Sequence, residues 1–317
     1  MNAVANGRPA FRPAAAVALR RRLRAWLPSG RTLVIAAPFA FLLIFFMVPF
    51  AAVIKISFAD VQMSVPPYTP ILEIRDGYLR LALNLEHYRS VLTDDLYIGA
   101  YLYSVEIAGL TTLLCLLIGY PACYLIARAE PARRNLLIMA VMLPFWTSYL
   151  IRVYAWIGLL KNQGLINSFL MWTHVIADPL RLYHSNWGLL IGMVYNYLPY
   201  FMLPLYAHLV KLDLTLLEAA CDLGARPWVR FFTITLPLSQ RGIVAASLLV
   251  FIPAVGEYVI PALLGGPDTL MIGRVVWDEF FGNRDWPVAS ALAIVLLTIL
   301  SGFVLLLQRV QAREREA

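Results

Sequence analysis

Six apolar runs set the rhythm of the chain: Leu33 to about Phe58, then residues 98–127, 135–160, 187–210, 241–263 and 286–308. Each is close to or above the roughly 20 apolar residues that carry an α-helix across the hydrocarbon of a bilayer. Polar segments separate them. The longest, residues 59–97, holds the stiff Pro66-Pro67-Tyr68-Thr69-Pro70 stretch and more acids than bases. This pattern predicts an all-α integral membrane protein with six transmembrane helices. The first run follows an arginine-rich flank, as the core of a cleaved leader does. It is longer than the about 7–15 apolar residues of such a leader, so it is expected to stay as a span.

Composition agrees with a bilayer environment. Hydrophobic residues make up 61% of the chain and charged ones 14%, against about 25% charged in soluble domains. The net charge of +7 is unevenly placed, with seven arginines and no acid in residues 1–32. Such a flank suits anionic lipid better than nucleic acid, since no aromatic platform or folded basic face accompanies it. Alternate segments, with Arg241 counted at the edge of its loop, hold 17 and 7 of the Lys and Arg residues. The positive-inside rule puts the richer set, with both termini and the 211–240 loop, in the cytoplasm. The expected division is a basic cytoplasmic tail at 1–32, a first span at 33–58 and a periplasmic loop at 59–97. A core at 98–308 and a second cytoplasmic tail at 309–317 follow.

Five spans carry internal prolines: Pro38 and Pro49, Pro121, Pro144, Pro199 and Pro204, and Pro253 and Pro261. In lipid the carbonyls freed by a proline must find neighbours or cavity water. In the fifth span Pro253, Gly256 and Pro261 bracket Glu257, and a broken helix that presents an acid is a recurring way to build a midplane site. Glu106, Arg152 and Glu257 are ionisable residues inside spans, which cost several kcal/mol unless paired or wet. Aromatics crowd near them: Trp146, Tyr149, Tyr154 and Trp156, then Tyr195, Tyr197 and Tyr200, then Tyr258. A carboxylate among aromatic faces suits a cationic amine, each cation–π contact contributing about 0.5–2 kcal/mol. The candidate cavity is Glu257, Tyr258, Trp146, Tyr149, Arg152, Tyr195 and Tyr197. A structural ion pair of Arg152 with Glu257 or Glu106 is the competing reading, and Arg152 also suits an anion.

Catalytic chemistry has no footing here. No Gly-x-x-x-x-Gly-Lys-Ser/Thr occurs, and the four histidines are scattered without metal-ligand spacing. Cys115 and Cys123 lie eight residues apart, about 12 Å along a helix and too far for a bridge within it. The chain reads as a pore-forming subunit with no cofactor of its own.

The 211–240 loop carries its own helix punctuation. Thr215 and Glu218 fit a capping box, Leu216, Ala220 and Leu223 recur at helical spacing, Gly224 fits a left-handed terminus and Pro227 opens a second helix. Glu218-Ala219-Ala220, Gly224, Ile234, Leu236 and Pro237 resemble the EAA loop of ATP-binding-cassette importer permeases. That resemblance implies a type I importer permease fold, with a coupling helix docking on a separate ATPase through Glu218, Ala219, Ala220, Asp222, Gly224, Arg226 and Pro237. FIPAVGEYVIPALLGGPD (Phe251–Asp268), LIRVYAW (Leu150–Trp156) and NLEHY (Asn84–Tyr88) look like the polyamine branch of that family, putrescine permeases foremost and spermidine/putrescine permeases next. The implied partners are a homologous second permease subunit, two copies of an ABC ATPase that carry ATP and Mg, and a periplasmic polyamine-binding protein. Trp277, Asp278 and Glu279 are the expected contact for the binding protein. An importer of another small solute and an ion-coupled secondary transporter are the alternatives.

Overall fold

The computed structural model describes residues 30–70, 72–75, 78–81 and 83–316. The basic tail expected over residues 1–32 lies almost wholly outside the described residues. The chain divides into two compact units at Lys55.

The described residues of the first unit form one helix, α1 (Val34–Ile56). Its interior holds a π turn at Leu43–Met47, two residues ahead of Pro49. A proline ring clashes with the carbonyl four residues back, here that of Phe45, and the wider π turn removes the clash without a break.

The second unit opens with a small antiparallel hairpin, β1 (Leu72–Arg75) and β2 (Tyr78–Leu81), in which Leu72 faces Leu81. It is a minor addition to the expected all-α fold. A short helix, α2 (Glu86–Thr93), leads to α3 (Asp95–Arg128). Asp94 caps α3 by accepting the Leu96 N–H at 2.9 Å. Its 34 residues span about 51 Å at 1.5 Å each, so α3 projects past a hydrocarbon layer about 30 Å thick.

The third span is not the continuous helix expected over 135–160. α4 (Pro131–Trp146) ends in a 3-10 turn that contains Pro144, and the chain bends by 91° before the segment Tyr149–Trp172. Thr147 is extended (φ −95, ψ 150) and its hydroxyl donates to the Pro144 carbonyl at 2.7 Å. Two helices follow, α5 (Tyr149–Leu160) and α6 (Leu165–Trp172).

α7 (Asn186–Leu209), capped by Ser185 Oγ on the Gly188 N–H at 3.2 Å, is the span most buried within the chain. It packs on α3 and on α9 (Pro227–Val255) to make the core. Phe201, Met193, Leu205 and Val250 are fully buried there. Where α3 meets α7 its side chains are small: Ala108, Cys115 and Cys123 are fully buried. The two thiols donate to the Val194 and Met202 carbonyls of α7. Close packing of small residues holds helices together where lipid removes the hydrophobic driving force.

The fifth span begins earlier and ends sooner than residues 241–263. α9 starts at Pro227 and passes Pro237 without breaking, because a π turn at Phe231–Thr235 precedes the ring as one precedes Pro49 in α1. It stops at Val255. A short helix α10 (Val259–Leu264) follows the break, then α11 (Ile272–Trp277) running into a π turn at Asp278–Gly282. The last helix, α12 (Trp286–Glu316), continues past residue 308. Among the described residues five helices are long and apolar enough to cross a membrane, and six spans result if the bent pair counts as one.

Candidate functional site

The break between α9 and α10 is built around one carboxylate. Glu257 Oε1 accepts the Tyr258 and Val259 N–H groups at 3.2 and 3.0 Å, which are free because α10 starts there. Tyr149 of α5 donates its hydroxyl to the same oxygen at 2.9 Å, and Tyr197 of α7 donates to Oε2 at 2.7 Å. Four donors from three elements therefore converge on one half-buried acid, the arrangement that keeps a carboxylate stable away from bulk water. A cavity of about 320 Å³ opens beside it, lined by Tyr149, Asn196, Tyr197, Tyr200, Leu249, Pro253 and Glu257. Phe145 meets Tyr200 edge-on at 4.7 Å behind the wall. A negative oxygen pair amid aromatic faces is chemically matched to an organic ammonium group.

Arg152 does not pair with either acid. Its side chain is 8% exposed, with the guanidinium over the rings of Phe145 at 5.5 Å and Tyr149 at 5.7 Å. Its Nε and Nη1 are buried without hydrogen-bond partners. The structural ion pair weighed from the sequence is absent among the described residues; Tyr149 instead touches both groups, its ring under the guanidinium and its hydroxyl on Glu257. Glu106 is exposed on α3.

The other expected cavity residues separate into two groups. Tyr258 stacks on Trp277 with centroids 4.3 Å apart and planes 16° from parallel, so it sits at the break but faces α11. Trp146 is 81% exposed, and Tyr195 meets Trp156 edge-on at 5.2 Å; neither lines the cavity. Asn196 and Leu249 do line it and were not anticipated. The sequence signal for Asn196 was an amide set between two tyrosines in an apolar run. Its Nδ2 donates to the Gly192 carbonyl at 2.9 Å, and its buried Oδ1 has no partner. Of the expected binding-protein contacts, Trp277 stacks as described, Asp278 lies 3.8 Å from Arg274, and Glu279 accepts from Tyr97 and Asn283 at 3.0 and 2.8 Å.

The 211–240 loop folds as a helix, a glycine turn and a second helix. α8 (Thr215–Asp222) is not started by a Thr215–Glu218 capping box. Leu214 is already helical, and Asp213 Oδ1 accepts the Thr215 N–H at 3.0 Å. The bond from the Thr215 backbone, then that from its side chain, hold the exposed Asp213 carboxyl below its ordinary pKa. At the other end Gly224 is left-handed (φ +76), the Ala225 N–H reaches the Ala220 carbonyl at 2.9 Å, and the Gly224 N–H reaches Cys221 at 2.8 Å. That pair of bonds is the Schellman motif. Pro227 begins the next helix, where its missing N–H costs nothing. Glu218, Ala219, Asp222, Arg226 and Pro237 are exposed and Ala220 half-buried, alongside exposed Leu216, Leu223, Trp228 and Phe232.

These features define a multi-pass membrane subunit with a solvent-facing loop on one side and a broken span around an acid. Residues 137–315 match the family of binding-protein-dependent transport system inner membrane components, and the chain belongs to that family. It is a permease subunit of the inner membrane and not a catalyst. The spermidine/putrescine transport system permease protein PotB of Haemophilus influenzae is 37% identical over 269 residues, covering 84% of this chain and 89% of the relative. The PotB protein of Escherichia coli K12 is 40% identical over 230 residues, covering 73% and 83%. In structure the chain resembles a subunit of a bacterial ABC transporter involved in the import of the acidic polysaccharide alginate, with a TM-score of 0.64. The match covers 92% of this chain and 99% of that one at 18% identity, a likeness of fold alone.

Proposed function

We propose that this chain is one of two homologous permease subunits of an ATP-driven importer that passes a polyamine, putrescine or spermidine, from a periplasmic binding protein to the cytoplasm. The observation that carries the reading is the Glu257 carboxylate, presented at a helix break to an aromatic cavity and unpaired with any basic side chain among the described residues. Similarity to the PotB proteins of spermidine/putrescine transport systems supports the substrate class. In this reading two ATPase subunits bind ATP and Mg and grip the α8 loop, with Ala219 and Ala220 allowing close docking and Gly224 setting the turn. Glu218, Asp222 and Arg226 form its polar face, and Pro237 lies just beyond it on α9. Trp277, Asp278 and Glu279 face the binding protein. Residues 59–97 are periplasmic, and both termini and the 211–240 loop are cytoplasmic. Closure of the ATPase pair would then bias the cavity between outward and inward states, a two-state equilibrium coupled from both ends.

Import of an anion is the second reading, and it rests on the unpartnered guanidinium of Arg152. Hydrolysis of ATP by the complete transporter in lipid, with its binding protein, decides between them. Stimulation by putrescine or spermidine that Glu257→Gln reduces is the expected result. Stimulation by an anion instead, indifferent to Glu257→Gln, would overturn the polyamine reading.

A further inference from the structure

Arg152 has a strong charge, little solvent and idle hydrogen-bond donors. Its guanidinium is parked on the Phe145 and Tyr149 rings, with Nε and Nη1 unused. Burying charged donors without partners is costly, and a state of the protein that gives them an anion relieves that cost. Tyr149 links Arg152 to the Glu257 carboxylate. The Tyr149 side chain presents its face to Arg152 at 5.7 Å and its hydroxyl to Glu257 Oε1 at 2.9 Å.

We infer that Arg152 is a resident competitor for Glu257: a tethered cation that takes the carboxylate as the polyamine departs. This rests on the reading of Glu257 as the amine site. An ammonium group bound to a carboxylate in a poorly hydrated cavity leaves slowly, because the four hydrogen bonds that remain on Glu257 come from neutral donors and supply no counter-charge. A guanidinium with free donors supplies the replacement, and its planar fork suits a carboxylate in two-point contact. Rotation of the Tyr149 ring removes the spacer. Tyr149 and Arg152 are three residues apart and so share one face of α5, and α5 packs on α10, the helix whose first N–H groups Glu257 holds. A shift of α5 along α10 therefore exchanges hydroxyl for guanidinium at the acid. The charges of Arg152 and Glu257 sum to zero without the amine and to an excess of positive charge with it. Arg152 thus sets the release of the amine, not its capture, and acts as a positioning residue on the site.

The test uses the complete transporter in nanodiscs without binding protein, measuring retention of labelled spermidine, and the same complex in proteoliposomes with binding protein, measuring turnover. Arg152→Met is expected to retain spermidine about tenfold more tightly, within the roughly 5–150-fold range of typical coupling energies, and to turn over severalfold more slowly. Arg152→Lys, which keeps the cation but loses the planar fork, falls between the parent and Arg152→Met. Tyr149→Phe removes the hydroxyl that holds Glu257 away from Arg152, so it weakens retention, and adding Arg152→Met reverses that loss. Unchanged retention and turnover in an assembled Arg152→Met complex overturn the inference. If Arg152→Met does not assemble, Tyr149→Phe alone decides, and undiminished retention in it overturns the inference as well. Glu257→Gln separates the two levels. Loss of retention there, with Arg152→Met like the parent, keeps the amine site and discards the competitor; retention indifferent to Glu257→Gln discards both.

Discussion

Gly273 of α11 lies directly against the backbone of Glu257. A Cβ built on it would stand 2.6 Å from the Glu257 carbonyl oxygen and closer still to that of Gly256. The missing side chain lets α11 approach the break, and Trp277, one turn further along, then stacks on Tyr258. Gly273→Ala is expected to push the two apart, lowering the stability of the purified complex by about 1–3 kcal/mol through overpacking and reducing polyamine-stimulated ATP hydrolysis. A melting temperature and ATPase rate equal to the parent's would show that the contact relaxes freely.

Tyr197 and Tyr149 donate to the same carboxylate, yet their removal should differ in sign. Tyr197 approaches from α7, and among the described residues no arginine lies over its ring. Tyr197→Phe takes away one bond to a charged acceptor, of about 1.5–3 kcal/mol, and leaves an oxygen that an ammonium group can satisfy. The empty complex should melt lower, and added spermidine should raise its melting temperature more than it raises the parent's. An equal shift in both would mean that the amine does not meet Oε2.

At Gly224 handedness matters and size does not. The residue has φ +76, and a Cβ there would touch nothing within 4 Å. Gly224→Val forces a branched side chain into the left-handed region, at a cost of about 1–2 kcal/mol, whereas Gly224→Asn keeps a residue that tolerates it. Inserted Gly224→Val protein is expected to lose most ATP-driven uptake and Gly224→Asn to keep most of it. Equal uptake by the two would remove the turn from the coupling mechanism.

Asp213 gives the loop a predictable acid response. Its folded pKa is depressed by the Thr215 bonds, so its capping contribution is complete above the unfolded carboxylate range. That contribution fades as pH falls through the lowered value. A spin label at Leu216 should gain mobility over that acid window in the parent. In Asp213→Ala the label should already be mobile at neutral pH, and the step should be gone.

Legibility in the sequence followed how local each cause is. Gly224 and Pro227 were readable because left-handed φ and a missing N–H are properties of single residues. Glu257 was readable as a helix break from Pro253 and Gly256 beside it. The cap of α8 was misplaced by two residues, since Asp213 and Thr215 both suit the position and only the helical φ of Leu214 separates them. That the helix opened by Pro227 runs on into the fifth span was not readable, because Pro237 signals an interruption and the π turn that absorbs it has no sequence signature of its own. The 91° bend after Trp146 and the burial of Asn196 depend on neighbouring helices, which periodicity does not encode.

Glu257 is at once the acid of the cavity and the cap of α10, because the same oxygen accepts from Tyr149 and from the Tyr258 and Val259 amides. Whatever draws that oxygen away also unties the first turn of the helix. The deuterium uptake of those two amides is therefore a gauge of site occupancy: in a transporter cycling through its states, they register the whereabouts of the carboxylate without any label on the cargo.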